Sequence, residues 1–149
     1  MAFKQTQWAK STVTAEGYPK LEEGEQYLKI KEATYDDTTD PENPFYQIVM
    51  DNVETGARGW FKYWTSGNGK SARSHRGAYI SLGKALAGVE IGEPWPDDIV
   101  GGVVVADVKF TDQGYPRCYH FSAAPQEIVE TYSDIDQYFD GSTDTELIH

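Results

Sequence analysis

The nine residues from Ala57 to Thr65, Ala-Arg-Gly-Trp-Phe-Lys-Tyr-Trp-Thr, constrain the fold more than any other stretch of the chain. Side chains on a strand point to opposite faces with a period of two. Arg58, Trp60, Lys62 and Trp64 then share one face, and Phe61 and Tyr63 share the other. Such a strand fits an antiparallel sheet with one side toward a core and one toward solvent. A slip of one residue would exchange the two faces.

The strand sits in a window of unusual charge. The chain as a whole carries a net charge of -11, yet no Asp or Glu occurs from Thr55 to Val89. That window holds Arg58, Lys62, Lys70, Arg73, Arg76 and Lys84, with Trp60, Phe61, Tyr63, Trp64 and Tyr79 threaded among them. Bases interleaved with rings suit a single-stranded polynucleotide, whose phosphates the cations attract and whose bases the rings stack on. The acidity lies elsewhere. Residues 125–149 contain seven acids and no Lys or Arg.

The remaining pattern reads as a small β protein. Residues 1–24 form an irregular arm with Trp8 as its anchor and a turn at Gly17-Tyr18-Pro19. Glu25–Ala33 alternates as a strand, with Leu28 and Ile30 on one side and Tyr27, Lys29 and Lys31 on the other. The acidic stretch 35–44 is a loop. Phe45–Asp51 is the second strand, residues 52–56 a hairpin turn, and Ala57–Thr65 the third strand. Ser66–Ser74 reads as a basic loop, and His75–Leu86 as a helix with Tyr79, Leu82 and Leu86 on one stripe, stopped by Gly88. Ile99–Phe110 is a fourth strand. Tyr115–Ser122 is a fifth, with Tyr115, Arg117, Tyr119 and Phe121 on one face. Gln126–Tyr132 reads as a short helix, and the chain from Ser133 onward as a flexible acidic tail.

Three strands, a helix and two strands follow the order of the OB-fold, a five-stranded barrel with its helix between strands three and four. The expected organisation is therefore a mainly β, OB-fold-like nucleic-acid-binding domain with its arm over residues 1–124, and a tail over 125–149. A β-sandwich with one helix is the competing architecture.

Four phrases carry a resemblance: Leu-Glu-Glu-Gly-Glu-Gln-Tyr-Leu-Lys-Ile over residues 21–30, Gly-Ala-Arg-Gly-Trp over 56–60, Leu-Gly-Lys-Ala-Leu over 82–86, and Ile-Val-Gly-Gly-Val-Val-Val-Ala-Asp-Val over 99–108. In these and in its layout the chain resembles small phage-encoded single-stranded-DNA-binding proteins, across roughly residues 20–122. The tail is similar in kind to the acidic tails of bacterial and phage proteins of that type. Their acidic run ends the chain with an aromatic, whereas here Asp134, Asp136, Phe139 and Asp140 lie internally and Glu146-Leu-Ile-His149 follows. The resemblance implies a role in DNA replication or recombination, with those four tail residues recruiting protein partners.

The expected interface comprises Lys29, Lys31, Arg58, Lys62, Lys70, Arg73 and Arg76 on phosphates, with Trp60 and Trp64 stacked on bases. No catalysis, metal or cofactor is expected. His75, His120 and His149 sit in no motif, and one cysteine, Cys118, gives no zinc spacing. Gly69-Lys70-Ser71 lacks the rest of a phosphate-binding loop. Asp36, Asp37 and Asp40 lack the glycine and distal glutamate of a calcium loop. Absence of an apolar run of about 18 residues argues against a membrane span, and the lone cysteine makes the cytoplasm the default, the host's if the protein is phage-encoded. A homo-oligomer is left open. The rival reading is an acidic DNA mimic that inhibits a host nucleic-acid-processing enzyme. A carbohydrate module would explain the rings but not the bases.

Overall fold

A long first strand, β1 (Gly24–Asp36), runs through the middle of the sheet and pairs on both edges. In the computed structural model, which describes Thr14, residues 16–65 and residues 70–134 (backbone alone for 70–73), β2 (Phe45–Asn52) lies on one side of it and β4 (Val103–Phe110) on the other. Leu28, Ile30 and Ala33 point inward. That spacing breaks strict alternation because the register slips between Ile30 and Glu32. The extra residue is a β-bulge, which bends a strand and increases its twist. It leaves both Lys31 and Glu32 exposed and lets one strand serve two neighbours in a curved sheet.

β3 (Arg58–Trp64) pairs with β2, and the short β5 (Pro116–Arg117) and β6 (Phe121–Ala123) both pair with β4. The order β3-β2-β1-β4-β5, antiparallel throughout, rolls into a nearly closed five-strand barrel. Its interior is filled by Leu28, Ile30, Ile48, Met50, Phe61, Tyr63, Val104 and Val108. Phe61 and Tyr63 are therefore the inner face of β3, at 0% and 1% exposure, and the basic-aromatic set is the outer face.

The gap between β3 and β5 is closed by side chains. Tyr63 donates its hydroxyl to the carbonyl of Cys118 at 2.9 Å. The buried ring of His75 wedges edge-on among Tyr63, Trp64 and Tyr119, with a backbone hydrogen bond at Lys62. Burial pushes the imidazole pKa down, and the charge of Arg117 acts in the same direction.

Between β3 and β4 the chain forms α1 (Lys70–Ala87), which lays Ala78, Tyr79, Leu82 and Leu86 on the core. The helix starts five residues before the expected His75, correcting the second half of the loop read at Ser66–Ser74. Lys, Ser, Ala and Arg all propagate a helix once the glycines at 67 and 69 are passed. Gly88 ends it in the left-handed region at φ 79°, donating its N–H to the Lys84 carbonyl at 2.8 Å.

Two strand boundaries also differ from expectation. Ile99 is not the start of β4 but the buried end of a single-turn helix, α2 (Pro96–Ile99), and β4 begins only after Gly101-Gly102. The expected strand Tyr115–Ser122 is split into β5 and β6, because Cys118 turns inward to meet Tyr63. Tyr115 and Tyr119 are exposed while Phe121 is buried, so the face drawn from them does not exist.

After β6, α3 (Gln126–Tyr132) leads back onto the barrel. Asp134 donates its N–H to the Gly101 carbonyl at 2.8 Å, and a Cβ on Gly101 would come within 2.9 Å of the Asp134 Cβ. Residues 135–149, which carry most of the expected tail, lie outside the described residues. No helix among the described residues is long and apolar enough to cross a membrane.

Candidate nucleic-acid interface

The hairpin that joins β2 to β3 fixes the register of the site. The Asn52 side-chain oxygen accepts the N–H groups of Glu54 and Thr55 at 2.7 and 3.0 Å, and Gly56 takes φ 78°. Across this turn Asp51 stands opposite Arg58, Val49 opposite Trp60, Gln47 opposite Lys62 and Phe45 opposite Trp64.

Arg58 is consequently held within the protein. Its guanidinium donates to both Asp51 carboxylate oxygens, at 2.6 and 2.9 Å, and stacks 3.8 Å from the centre of the Tyr18 ring. The Asp51 bond raises the arginine pKa further. A bidentate pair of this kind is strong and directional. Lys29 is likewise engaged, 2.7 Å from the Asp134 carboxylate. That bond, with a smaller push from Lys31, holds the Asp134 carboxyl below its ordinary range.

The other expected residues are differently placed. Lys62 is exposed, its ammonium 4.8 Å above the Phe45 ring. Trp60 and Trp64 are half-buried on the outer face, with Trp64 tilted against Phe45 and His75. Lys31 is exposed at the bulge. Arg76 donates to the Thr65 carbonyl at 2.8 Å, bracing the start of α1 against the end of β3. Lys70 and Arg73 lie in the first turns of α1, where the backbone alone is described. Of the expected tail residues, Asp134 rests on Lys29, and Asp136, Phe139 and Asp140 fall outside the described residues. The structure thus groups Trp60, Lys62 and Trp64 on one strand, and it pairs Arg58 and Lys29 with carboxylates.

A groove of ≈ 290 Å³ opens between the edge of β3 and the turn from β4 to β5. Trp60, Phe110 and Tyr115 supply rings to it, Leu21 an aliphatic wall, and Lys20 and Arg58 positive charge. Among the described residues no acid lines it, although Asp51 pairs with Arg58 and the Glu23 carboxylate accepts the Phe110 N–H at 2.9 Å. Tyr115 is 59% exposed and Phe110 36%. The arm builds one wall: Pro19 accepts the Arg58 N–H at 2.9 Å, and buried Leu21 sits on Gly59, where a Cβ would collide with it.

Tyr18, Lys20, Phe110 and Tyr115 are not among the residues the sequence reading selected. One signal could have found the two tyrosines. Gly-Tyr-Pro occurs twice, at 17–19 and 114–116. Both glycines adopt positive φ, 93° and 87°, so each tyrosine follows a tight bend at the groove or on its guanidinium.

Cys118 is buried, its thiol pKa raised by that burial and its S–H donated to the His120 carbonyl at 3.1 Å. Among the described residues no three His, Cys, Asp or Glu side chains gather where a metal ion could be held. Asp36 instead caps its own loop, accepting from the backbone and hydroxyls of Thr38 and Thr39, which lowers its carboxyl pKa to about 2. The sequence matches no protein-family model, and comparison with curated proteins and with solved structures gives no match.

Proposed function

We propose that this protein binds single-stranded DNA without sequence preference, through the outer face of β3 and the groove beside it. The observation that carries the reading is the run Trp60, Lys62, Trp64 on one strand face, continued by a groove with two further rings. A barrel of this strand order is compatible with the OB-fold, which binds oligonucleotides on its middle strands and adjoining loops. Bases stack on Trp60, Trp64 and Tyr115, and Lys31 and Lys62 meet phosphates. Lys70, Arg73 and Arg76 extend the positive field. Lys29 and Arg58 take part by exchanging Asp134 and Asp51 for a phosphate. The setting is phage DNA replication or recombination in the host cytoplasm.

Fluorescence titration with oligo-dT at two salt concentrations tests this. The expected result is tryptophan quenching at low salt that is lost at high salt, since each neutralised phosphate of a single strand contributes a slope of about -0.7 in log K against log salt. The double variant Trp60→Ala, Trp64→Ala should bind poorly while keeping its β circular-dichroism spectrum. Absence of binding at low salt, in the full chain and in a chain ending at Asp134, overturns the proposal.

A further inference from the structure

Four of the eight exposed large apolar side chains among the described residues lie in one twelve-residue segment, Val89 to Val100. Trp95 is the most exposed of all, at 67%. Isolated apolar residues at a surface are ordinary, but a cluster with a polar rim marks a protein-binding site. Tryptophan is the side chain most enriched among residues that dominate interface energy.

The segment is held rather than loose. Pro94 and Pro96 flank Trp95 and are both buried. Tyr79 donates its hydroxyl to the Pro94 carbonyl at 2.8 Å, and Tyr46 donates to Glu93 at 2.9 Å. The Tyr46 and Tyr79 rings stack on each other, 3.8 Å between centroids. Asp98 donates its N–H to the Trp95 carbonyl at 3.0 Å. On α1, a Cβ at Gly83 would crowd Pro94 and Ile91, which lie 2.9 and 3.2 Å from that position. A ring presented on a fixed backbone costs little ordering entropy when it binds.

Charge selects the occupant. Glu90, Glu93, Asp97 and Asp98 surround Trp95 in the sequence, all exposed; Glu90 is paired with Lys84 at 3.1 Å, and no Lys or Arg occurs from Ala85 to Val108. A second copy of this chain would bring the same carboxylates face to face, which costs energy. A bare polynucleotide would be repelled. The geometry points to Trp95, with the exposed carboxylates of Glu93, Asp97 and Asp98 close to it in the chain, as the anchor of a docking surface for a protein partner that offers an apolar helix face bordered by Lys and Arg. The surface is separate in its residues from the β3 face, and the inference does not depend on DNA binding.

The test uses the full chain without DNA and a synthetic amphipathic helix of lysine and leucine, with a glutamate-and-leucine counterpart as control. Amide shifts in NMR titration should centre on residues 89–100 with the lysine peptide and be absent with the glutamate peptide. Trp95→Ala should weaken binding at least about tenfold. Asp97→Asn with Asp98→Asn should weaken it a few-fold and flatten its salt dependence. Because Trp95 is exposed, its removal should leave the melting temperature unchanged, which separates lost contact from lost fold. Shifts confined to other surfaces, or affinity unchanged in Trp95→Ala, would overturn the inference. So would a dimer in sedimentation that Trp95→Ala abolishes.

Discussion

Trp60 and Trp95 mark two surfaces of opposite kind on one barrel. Trp60 is half-buried on the outer face of a strand, in a window with no acids, beside a groove bordered by Lys20 and Arg58. Trp95 stands clear of the surface on a short loop between prolines, in a stretch that holds four carboxylates, one of them paired with Lys84. A glycine near each admits a close neighbour: Leu21 packs on Gly59 and Pro94 on Gly83. The net charge of -11 is therefore a sum over segregated regions and says little about what any one ring would meet.

Removing each ring in turn and measuring the same ligand separates the two surfaces most strongly. Trp60→Ala should lower oligo-dT affinity about tenfold to a hundredfold, since one base stacked on a ring is worth about 1–3 kcal/mol and about 1.4 kcal/mol is a factor of ten. Trp95→Ala should leave it unchanged. Equal losses in the two variants would mean that the surfaces act as one.

Stability separates the supporting glycines. Gly59→Ala drives a Cβ into buried Leu21, and overpacking of a core costs about 1–3 kcal/mol in urea unfolding. Gly83→Ala also crowds its neighbour. It gains about 1 kcal/mol of helix propensity in return, so its net change should lie near zero. The reverse order would show that the arm at Leu21 is softer than the Pro94 contact.

Smaller effects probe the charges. Asp51→Asn frees Arg58 from its carboxylate, so oligo-dT should bind two- to fivefold more tightly at low salt, with a salt slope steeper by about 0.7. An unchanged slope would mean that Arg58 stays under Tyr18. The mildest test is pH. His75 in the folded protein titrates below its ordinary value of 6.5. Below that pH the unfolded chain takes up a proton that the folded chain refuses, so stability is whole above it and falls as the medium is acidified. Melting temperature should drop a few degrees more in the wild type than in His75→Gln between pH 7.5 and 5.5.

Much of the barrel is legible in the residues. β3 alternates cleanly, with Phe61 and Tyr63 on one face and Trp60 and Trp64 on the other, whereas the bulge in β1 and the buried run Ile48-Val49-Met50 in β2 break the pattern in its neighbours. The last strand is not legible. Its alternation continues through Tyr119, but the chain bends where Cys118 meets a hydroxyl 55 positions away, and a local pattern carries no trace of that partner. The bulge at Lys31 is hidden for the same reason. Arg58 could have been read better. A turn that leaves the six residues 52–57 between the paired positions places Asp51 across from it, so a carboxylate partner follows from the register alone. Trp95 gives a local signal too, a tryptophan between two prolines and among acids, which looks like an unremarkable loop until its exposure is known.

The single cysteine has a practical side. Cys118 is 1% exposed, and its thiol resists ionisation because it is buried. Maleimides and spin labels react with exposed thiolates, so the native chain should stay unmodified under mild conditions. A cysteine introduced at Tyr115 or Trp95 would then be the sole point of attachment, without mutating Cys118 away. Distances between a dye and each proposed surface could be read on a barrel whose own sulfur stays silent.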